Sequence, residues 1–448
     1  MGGLFIKPLL ATHGCYVRDH AQSGLASVGF FCPTTAFRSH FGDLPERLEK
    51  AGYAVLHLYG ETSDDSFEQH SGSFCVGSGG IGPKQLDFVD VLITPVVMDC
   101  LPERPRKVLV DHLSYAIFNP NKTHVGHGDM PPSAVDASLE EIVQKHTHAS
   151  ALFRLYDYHV APSLRVMETL RERARFFGLS NGTTPKCNTK KHPDAKRLEK
   201  SLKGRRLTEL QCFIPGGYPK LDLNIQSAEF NGEPKKHIVY APTPFKTGEN
   251  PEGWEKFMSM DYASEILLSL AHHFPDFEII FKPYADEAPD LIHAIMNNCL
   301  GSPNIKLDDC GSHYRELYAR TALMVSDISS TAYTFAFSTC RPVLFYSPNE
   351  AELIEYVNHL GTDSYVEGRK HVGTVVTTPE ELVAAAKKCL FSLPAWREKI
   401  EQFRETELYQ VGQCTEYLTR NFNKIVSGQK LPEGEYYSEN HERGQQIR

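Results

Sequence analysis

Five residues, Ser326-Asp327-Ile328-Ser329-Ser330, stand between two apolar runs. Residues 322–326 read as a strand and 332–337 as an apolar helix, so the five make a strand-to-helix turn. Such a turn leaves the N–H groups of Ser329, Ser330 and Thr331 without helical acceptors. With the helix dipole they form an anion site. Two adjacent hydroxyls add donors suited to phosphate oxygens. The carboxyl end of a parallel strand is also where open α/β sheets take ligands. The plainer alternative is that Ser329 or Ser330 only caps the helix.

A second candidate is His112, which follows Val108-Leu109-Val110-Asp111 at a strand end. Histidine titrates near working pH and can take the proton of an acceptor hydroxyl. Asp111 alternates to the other side of an extended strand and is not its automatic partner. A hydrogen-bonded loop histidine is the plain alternative. Asp157 and Asp43 are further carboxylates with ready surface or capping roles. His124, His127, His146 and His148 lack the spacing of a metal signature, so no metal site is expected.

The elements that must hold these residues are short β-rich runs separated by helical patterns. Strands are expected at 28–32, 53–58, 89–94, 107–111, 158–161 and 211–215, then at 237–241, 277–282, 304–307, 322–326, 342–346 and 373–377. Several are continuously apolar, as strands buried on both faces of a parallel sheet are. Alternation with helices predicts two βαβ-type domains. Thr378-Pro379-Glu380-Glu381 reads as a capping box opening a helix over 382–390. Asp261 is expected to cap a helix over 262–274.

The composition agrees. The chain has 448 residues, 41% hydrophobic and 23% charged, enough for two cores and unlike a disordered or fibrous sequence. The most apolar stretch, 89–101, is broken by Pro95 and Asp99 and is too short for a membrane span of about 18 residues. Residues 1–24 lack a signal pattern, which leads us to expect a soluble cytoplasmic protein. Eleven cysteines with no CxxC spacing suggest reduced thiols rather than zinc or disulfides. A net charge of -9 disfavours nucleic-acid binding. Residues 180–206 form a basic insert, read as a solvated loop or, through 186–206, as a peripheral contact with anionic lipid or a polyanionic acceptor. Residues 429–448 read as a loose polar tail.

The block Ser326-Asp327-Ile328-Ser329-Ser330, followed by Phe335-Ala336-Phe337 and Arg341-Pro342-Val343-Leu344-Phe345-Tyr346, resembles a signature of the CDP-glycerol glycerophosphotransferase family. Gly217-Tyr218-Pro219-Lys220-Leu221-Asp222 is similar to that family's GYPRxD turn, and Tyr240-Ala241-Pro242-Thr243 to its YAPT strand end. Residues 107–112 resemble the strand ending in its first catalytic histidine. Residues 158–163 and 373–382 resemble two further landmarks, in the expected order. Two departures stand out. The family's His-Gly is here His112-Leu113, and its Lys-x-His-Pro is replaced by Lys282-Pro283-Tyr284. Tyr284 can donate a hydrogen bond to phosphate but is no cation.

The resemblance implies a GT-B fold: two Rossmann-like domains whose parallel sheets face a central cleft. The expected divisions are 1–230 for the acceptor, 231–428 for the nucleotide donor, and a tail over 429–448. Helices beyond residue 395 are expected to return to the first domain. The expected reaction is transfer of a glycerophosphate, other alditol-phosphate or sugar unit from a cytidine-activated donor to a hydroxyl-bearing glycan or glycerol-phosphate acceptor, in teichoic-acid or capsule-like synthesis at the inner face of the membrane. His112 would be the base. Asp327, Ser329, Ser330, Thr331, Thr243, Pro242, Lys282, Tyr284 and Gly217 would hold the donor, with no cofactor or metal. A glycosyltransferase using a CMP- or UDP-sugar is the alternative. A nucleotide-sugar epimerase or hydrolase, or a non-catalytic nucleotide-binding module, remains beside it.

Overall fold

The computed structural model describes residues 26–61, 73–75, 86, 89–98, 101–111, 153–176, 210–243, 254–284, 287–308, 314–360 and 363–438. They fall into two compact units. The first comprises the described residues up to 111, those of 153–222, and 409–438; the second is 223–408. The division therefore comes at Asp222, not at 230, and the chain returns to the first unit at Tyr409, well before 428.

The first unit carries strands β1 (Ser27–Thr34), β2 (Ala54–Glu61), β3 (Ser73–Cys75), β4 (Val91–Thr94), β5 (Arg106–Val110), β6 (Tyr158–Val160), β7 (Leu210–Ile214) and β14 (Glu435–Ser438). The second carries β8 (His237–Tyr240), β9 (Glu278–Phe281), β10 (Ile305–Leu307), β11 (Leu323–Ser326), β12 (Val343–Tyr346) and β13 (Gly373–Val376). The sheet of the first unit has the order β14-β7-β6-β5-β4-β1-β2-β3, parallel throughout except for β14 on β7. The expected loose tail is thus partly an antiparallel edge strand, anchored by the Arg171–Glu435 ion pair.

Both faces of this sheet are covered, which explains the unbroken apolar runs. Val28, Phe30, Val91, Ile93, Val108 and Val110 pack with Leu44 and Leu48 of helix α1 (Leu44–Lys50). Tyr417, Leu418, Phe422 and Ile425 of the returning helix Cys414–Ser427 cover the same face. The alternate residues Phe31, Leu92 and Leu109 face a second cluster. The helix α2 (Leu164–Phe176) follows β6, and α3 (Pro219–Asn231) leads toward the second unit.

In the second unit the order is β10-β9-β8-β11-β12-β13, all parallel. The chain builds outward from β8 through β9 to β10, then crosses back to lay β11, β12 and β13 on the other side. The direction reverses between β8 and β11, and that is the switch point at which such sheets leave a crevice beyond their carboxyl ends. Helix α4 (Ala263–His273) packs Ile266, Leu267 and Leu270 against Ile238, Ile279, Leu323 and Val325. Helices α5 (Pro289–Asn298), α6 (Tyr314–Arg320), α7 (Thr331–Thr339), α8 (Glu350–Leu360), α9 (Asp363–Val372), α10 (Pro379–Phe391) and α11 (Leu393–Glu407) complete the unit, and α12 is the returning Cys414–Ser427.

The capping box forms: Thr378 Oγ1 accepts the Glu381 N–H at 3.3 Å, and Glu381 reaches back to the Thr377 N–H at 2.8 Å. Asp261 does not cap α4. It lies in a one-turn 3₁₀ segment, Met260–Tyr262, and the helix starts after it without a side-chain cap.

Candidate functional site

The switch point of the second unit joins two expected motifs. After β8 the chain runs Ala241-Pro242-Thr243; after β11 it runs Asp327 to Ser330. The Ala241 N–H donates to the Val325 carbonyl at 2.9 Å, and Ser326 Oγ donates to the Ala241 carbonyl at 2.6 Å. The two strand ends are therefore stitched together before either loop begins.

Asp327 completes the stitch. Its Oδ1 accepts the Thr243 N–H at 2.9 Å and the Thr243 hydroxyl at 2.6 Å. Its Oδ2 accepts the Ser259 N–H and hydroxyl, both at 2.9 Å. The carboxylate is buried, and burial raises its pKa while these bonds pull the other way. Asp327 and Thr243 were expected at the donor phosphate. The structure turns them onto each other, because a buried carboxylate requires donors and the nearest are the backbone and hydroxyl groups of these loops. Pro242 is buried and has no N–H, so it shapes the turn rather than donating. Tyr240, whose phenol donates to the Ser259 carbonyl at 2.9 Å, supports Ser259 from inside the sheet.

The open face of the site is the start of α7. Ser330 is its N-cap and makes no side-chain cap bond. Among the described residues, neither its hydroxyl nor the N–H groups of Ser329 and Ser330 have a hydrogen-bond partner within the protein. Ser329 Oγ accepts the Thr331 N–H at 3.3 Å, a weak cap that leaves Ser330 free for a ligand. The rest of α7, Ala332 to Thr339, is buried, which fixes the direction of its N-terminus. Ile328 packs against the small cluster of Phe257, Leu353 and Val357, pinning the loop from the other side. Thr331, also expected on the phosphate, has its hydroxyl 2.9 Å from that of Tyr318.

Beside β8 lies the end of β9. The Lys282 N–H donates to the Tyr240 carbonyl at 2.8 Å, and its ammonium stands 3.9 Å from Asp308 Oδ2. Both side chains are mostly buried. Tyr284 is 43% exposed at the same edge. Preorganised N–H donors and the free Ser330 hydroxyl at a helix N-terminus can hold a phosphate and stabilise charge on a departing one.

Gly217 has a structural role of its own. It lies in the first unit with φ +81°, and a Cβ there would come within 2.5 Å of the Tyr409 carbonyl oxygen. The same motif ends in Asp222, whose buried carboxylate accepts the Cys414 and Thr415 N–H groups at 3.2 and 2.7 Å. The 217–222 turn thus clasps the first turn of α12. Asp157 is likewise structural, accepting the Lys107 N–H at 2.7 Å, and Asp43 pairs with Arg47. His112, the histidines 124, 127, 146 and 148, and the basic insert 180–206 lie outside the described residues. Ser259, Tyr318 and Asp308 went unnoticed in the sequence, since no motif surrounds them.

Two Rossmann-like units with parallel sheets, one with an open helix start at its switch point, define the GT-B fold. The comparisons agree: the wall teichoic acid polymerase TagF matches with a TM-score of 0.53 at 14% identity, over 94% of this chain and 96% of that one. UDP-GlcNAc 2-epimerase from Neisseria meningitidis, bound to UDP-GlcNAc, matches with a TM-score of 0.51 at 11% identity, over 89% and 99%. A 2-epimerase described as putative, from Listeria monocytogenes, gives 0.52 at 11%, over 91% and 99%. No curated protein sequence matches the chain. The model of the CDP-Glycerol:Poly(glycerophosphate) glycerophosphotransferase family matches residues 210–422, which contain every element of the site, so the resemblance carried by the motifs holds there. The chain has the GT-B fold, and the stretch that carries its motifs matches a family of transferases.

Proposed function

We propose that the protein transfers glycerophosphate from CDP-glycerol to a hydroxyl of a glycerol-phosphate or glycan acceptor, as in teichoic-acid synthesis. One observation carries this reading: the unpartnered N–H groups at Ser329 and Ser330 open at the β8/β11 switch point, within the stretch that the family model matches. The acceptor oxygen attacks the phosphorus that bears glycerol. The bond from that phosphorus to the CMP oxygen breaks, CMP departs, and the acceptor proton passes to a base. Backbone donors at the start of α7, aimed at the departing phosphate, lower the barrier. His112 is the base in this reading, on its sequence position alone.

Among the described residues no helix is long and apolar enough to cross a membrane. In this reading the chain works in the cytoplasm, with residues 186–206 touching the inner membrane face where a lipid-linked acceptor would lie.

A second donor class is kept by Tyr284, which stands where the family has histidine. It would be a CMP- or UDP-sugar. Thermal shift with CDP-glycerol, CDP, CMP and UDP-sugars separates the two. Stabilisation by CDP-glycerol and CDP, with none by UDP-sugars, is the expected result. Stabilisation by UDP-sugars alone would replace the glycerophosphate reading by the glycosyl one.

A further inference from the structure

Tyr318, on α6, is buried and belongs to none of the motifs in the sequence. Its ring meets Phe335 edge-on at 5.6 Å and lies 4.9 Å from that of Tyr314. Its hydroxyl has one hydrogen-bond partner among the described residues, Thr331 Oγ1 at 2.9 Å. Burial raises the phenol pKa, so it carries its proton at any working pH. A buried phenol proton must be given to an acceptor, and Thr331 is the one within reach. Giving it fixes the polarity of the threonine hydroxyl. With the phenol as donor in this pair, Thr331 Oγ1 accepts from inside and its own proton is left for the half-buried side of the helix start, where Ser330 is its neighbour in sequence.

We propose that Tyr318 is a positioning residue that holds the Thr331 hydroxyl as a donor, so that the α7 start recognises ligand oxygens that only accept, those of a nucleoside diphosphate. The inference rests on the donor-site reading above and adds how the site chooses its ligand. A rotatable hydroxyl without this partner would spend part of its time offering a lone pair to an anion.

The experiment is a double-mutant cycle read by calorimetry with CDP, and with cytidine as the phosphate-free control. Tyr318→Phe retains the ring packing, and Thr331→Val retains the shape of the threonine. Tyr318→Phe should weaken CDP by about 5–20-fold in the native background and by less than about twofold on Thr331→Val, with cytidine unaffected in both. Unchanged CDP affinity in folded Tyr318→Phe overturns the proposal. So does equal weakening in both backgrounds, which is what a purely structural role would produce. If the unaltered chain fails to bind CDP, the donor-site reading itself fails, an outcome distinct from these.

Discussion

Asp327 takes both the N–H and the hydroxyl of Thr243 on one carboxylate oxygen, at 2.9 and 2.6 Å. The bond spans the point where the sheet reverses direction, and the second oxygen does the same for Ser259. The residue most suggestive of chemistry in the motif is thus the one that builds the site's frame. Asp327→Ala removes the acceptor for four donors and should cost about 3–5 kcal/mol in urea unfolding. Asp327→Asn, which retains one acceptor oxygen, should lose less.

Ser330 is the converse case: its hydroxyl has no protein partner among the described residues. Ser330→Ala should leave stability within about 0.5 kcal/mol and weaken nucleotide binding by about 1.5–3 kcal/mol, the worth of a hydrogen bond to a charged group. Adding Ser329→Ala should weaken binding further and loosen the first turn of α7. Calorimetry with CDP and a thermal melt separate the two effects.

Gly217 should matter for folding and not for nucleotide. Its φ is positive, and the atom that a Cβ would strike is a backbone oxygen, which cannot swing aside. Gly217→Ala should cost about 2–4 kcal/mol, and CDP affinity of the folded fraction should be unchanged. Lost affinity in well-folded protein would return Gly217 to the donor site.

His159 gives the first unit an acid limit. It is buried with Nε2 at 3.0 Å from the Phe153 carbonyl, and burial pushes its pKa down to about 3. A histidine whose folded pKa lies below its unfolded value contributes stability above about pH 6.5 and loses it as pH falls toward 3. Urea unfolding between pH 7.5 and 5 should show a slope of up to about 1.4 kcal/mol per pH unit from this group. His159→Gln, which can still donate to the carbonyl, should flatten it.

The strands were legible because both faces of each sheet are buried. Residues such as Val91-Leu92-Ile93 serve the two cores alternately, so no polar residue interrupts them. The strand Glu435–Ser438 was not legible. It is a polar antiparallel edge held by β7 and by Arg171, which lies 264 residues away in the chain. The helix start at Ser329 and Ser330 could be placed from its local pattern. The fate of Asp327 could not, because Ser259 and Thr243 are brought to it by the sheet order, from 68 and 84 residues away. The structural demand on Gly217 was hidden for the same reason: the residue that requires a glycine there, Tyr409, belongs to the returning segment.

The central claim is tested most directly by following both products of one reaction. The full chain is given CDP-glycerol labelled in the glycerol, with a glycerol-phosphate-primed acceptor, and CMP release is measured against label transferred. We predict one CMP for each label transferred, with turnover reduced about 10²–10⁴-fold by His112→Gln while CDP affinity stays nearly unchanged. No CMP from CDP-glycerol, together with turnover of a CMP- or UDP-sugar by the same preparation, would contradict it.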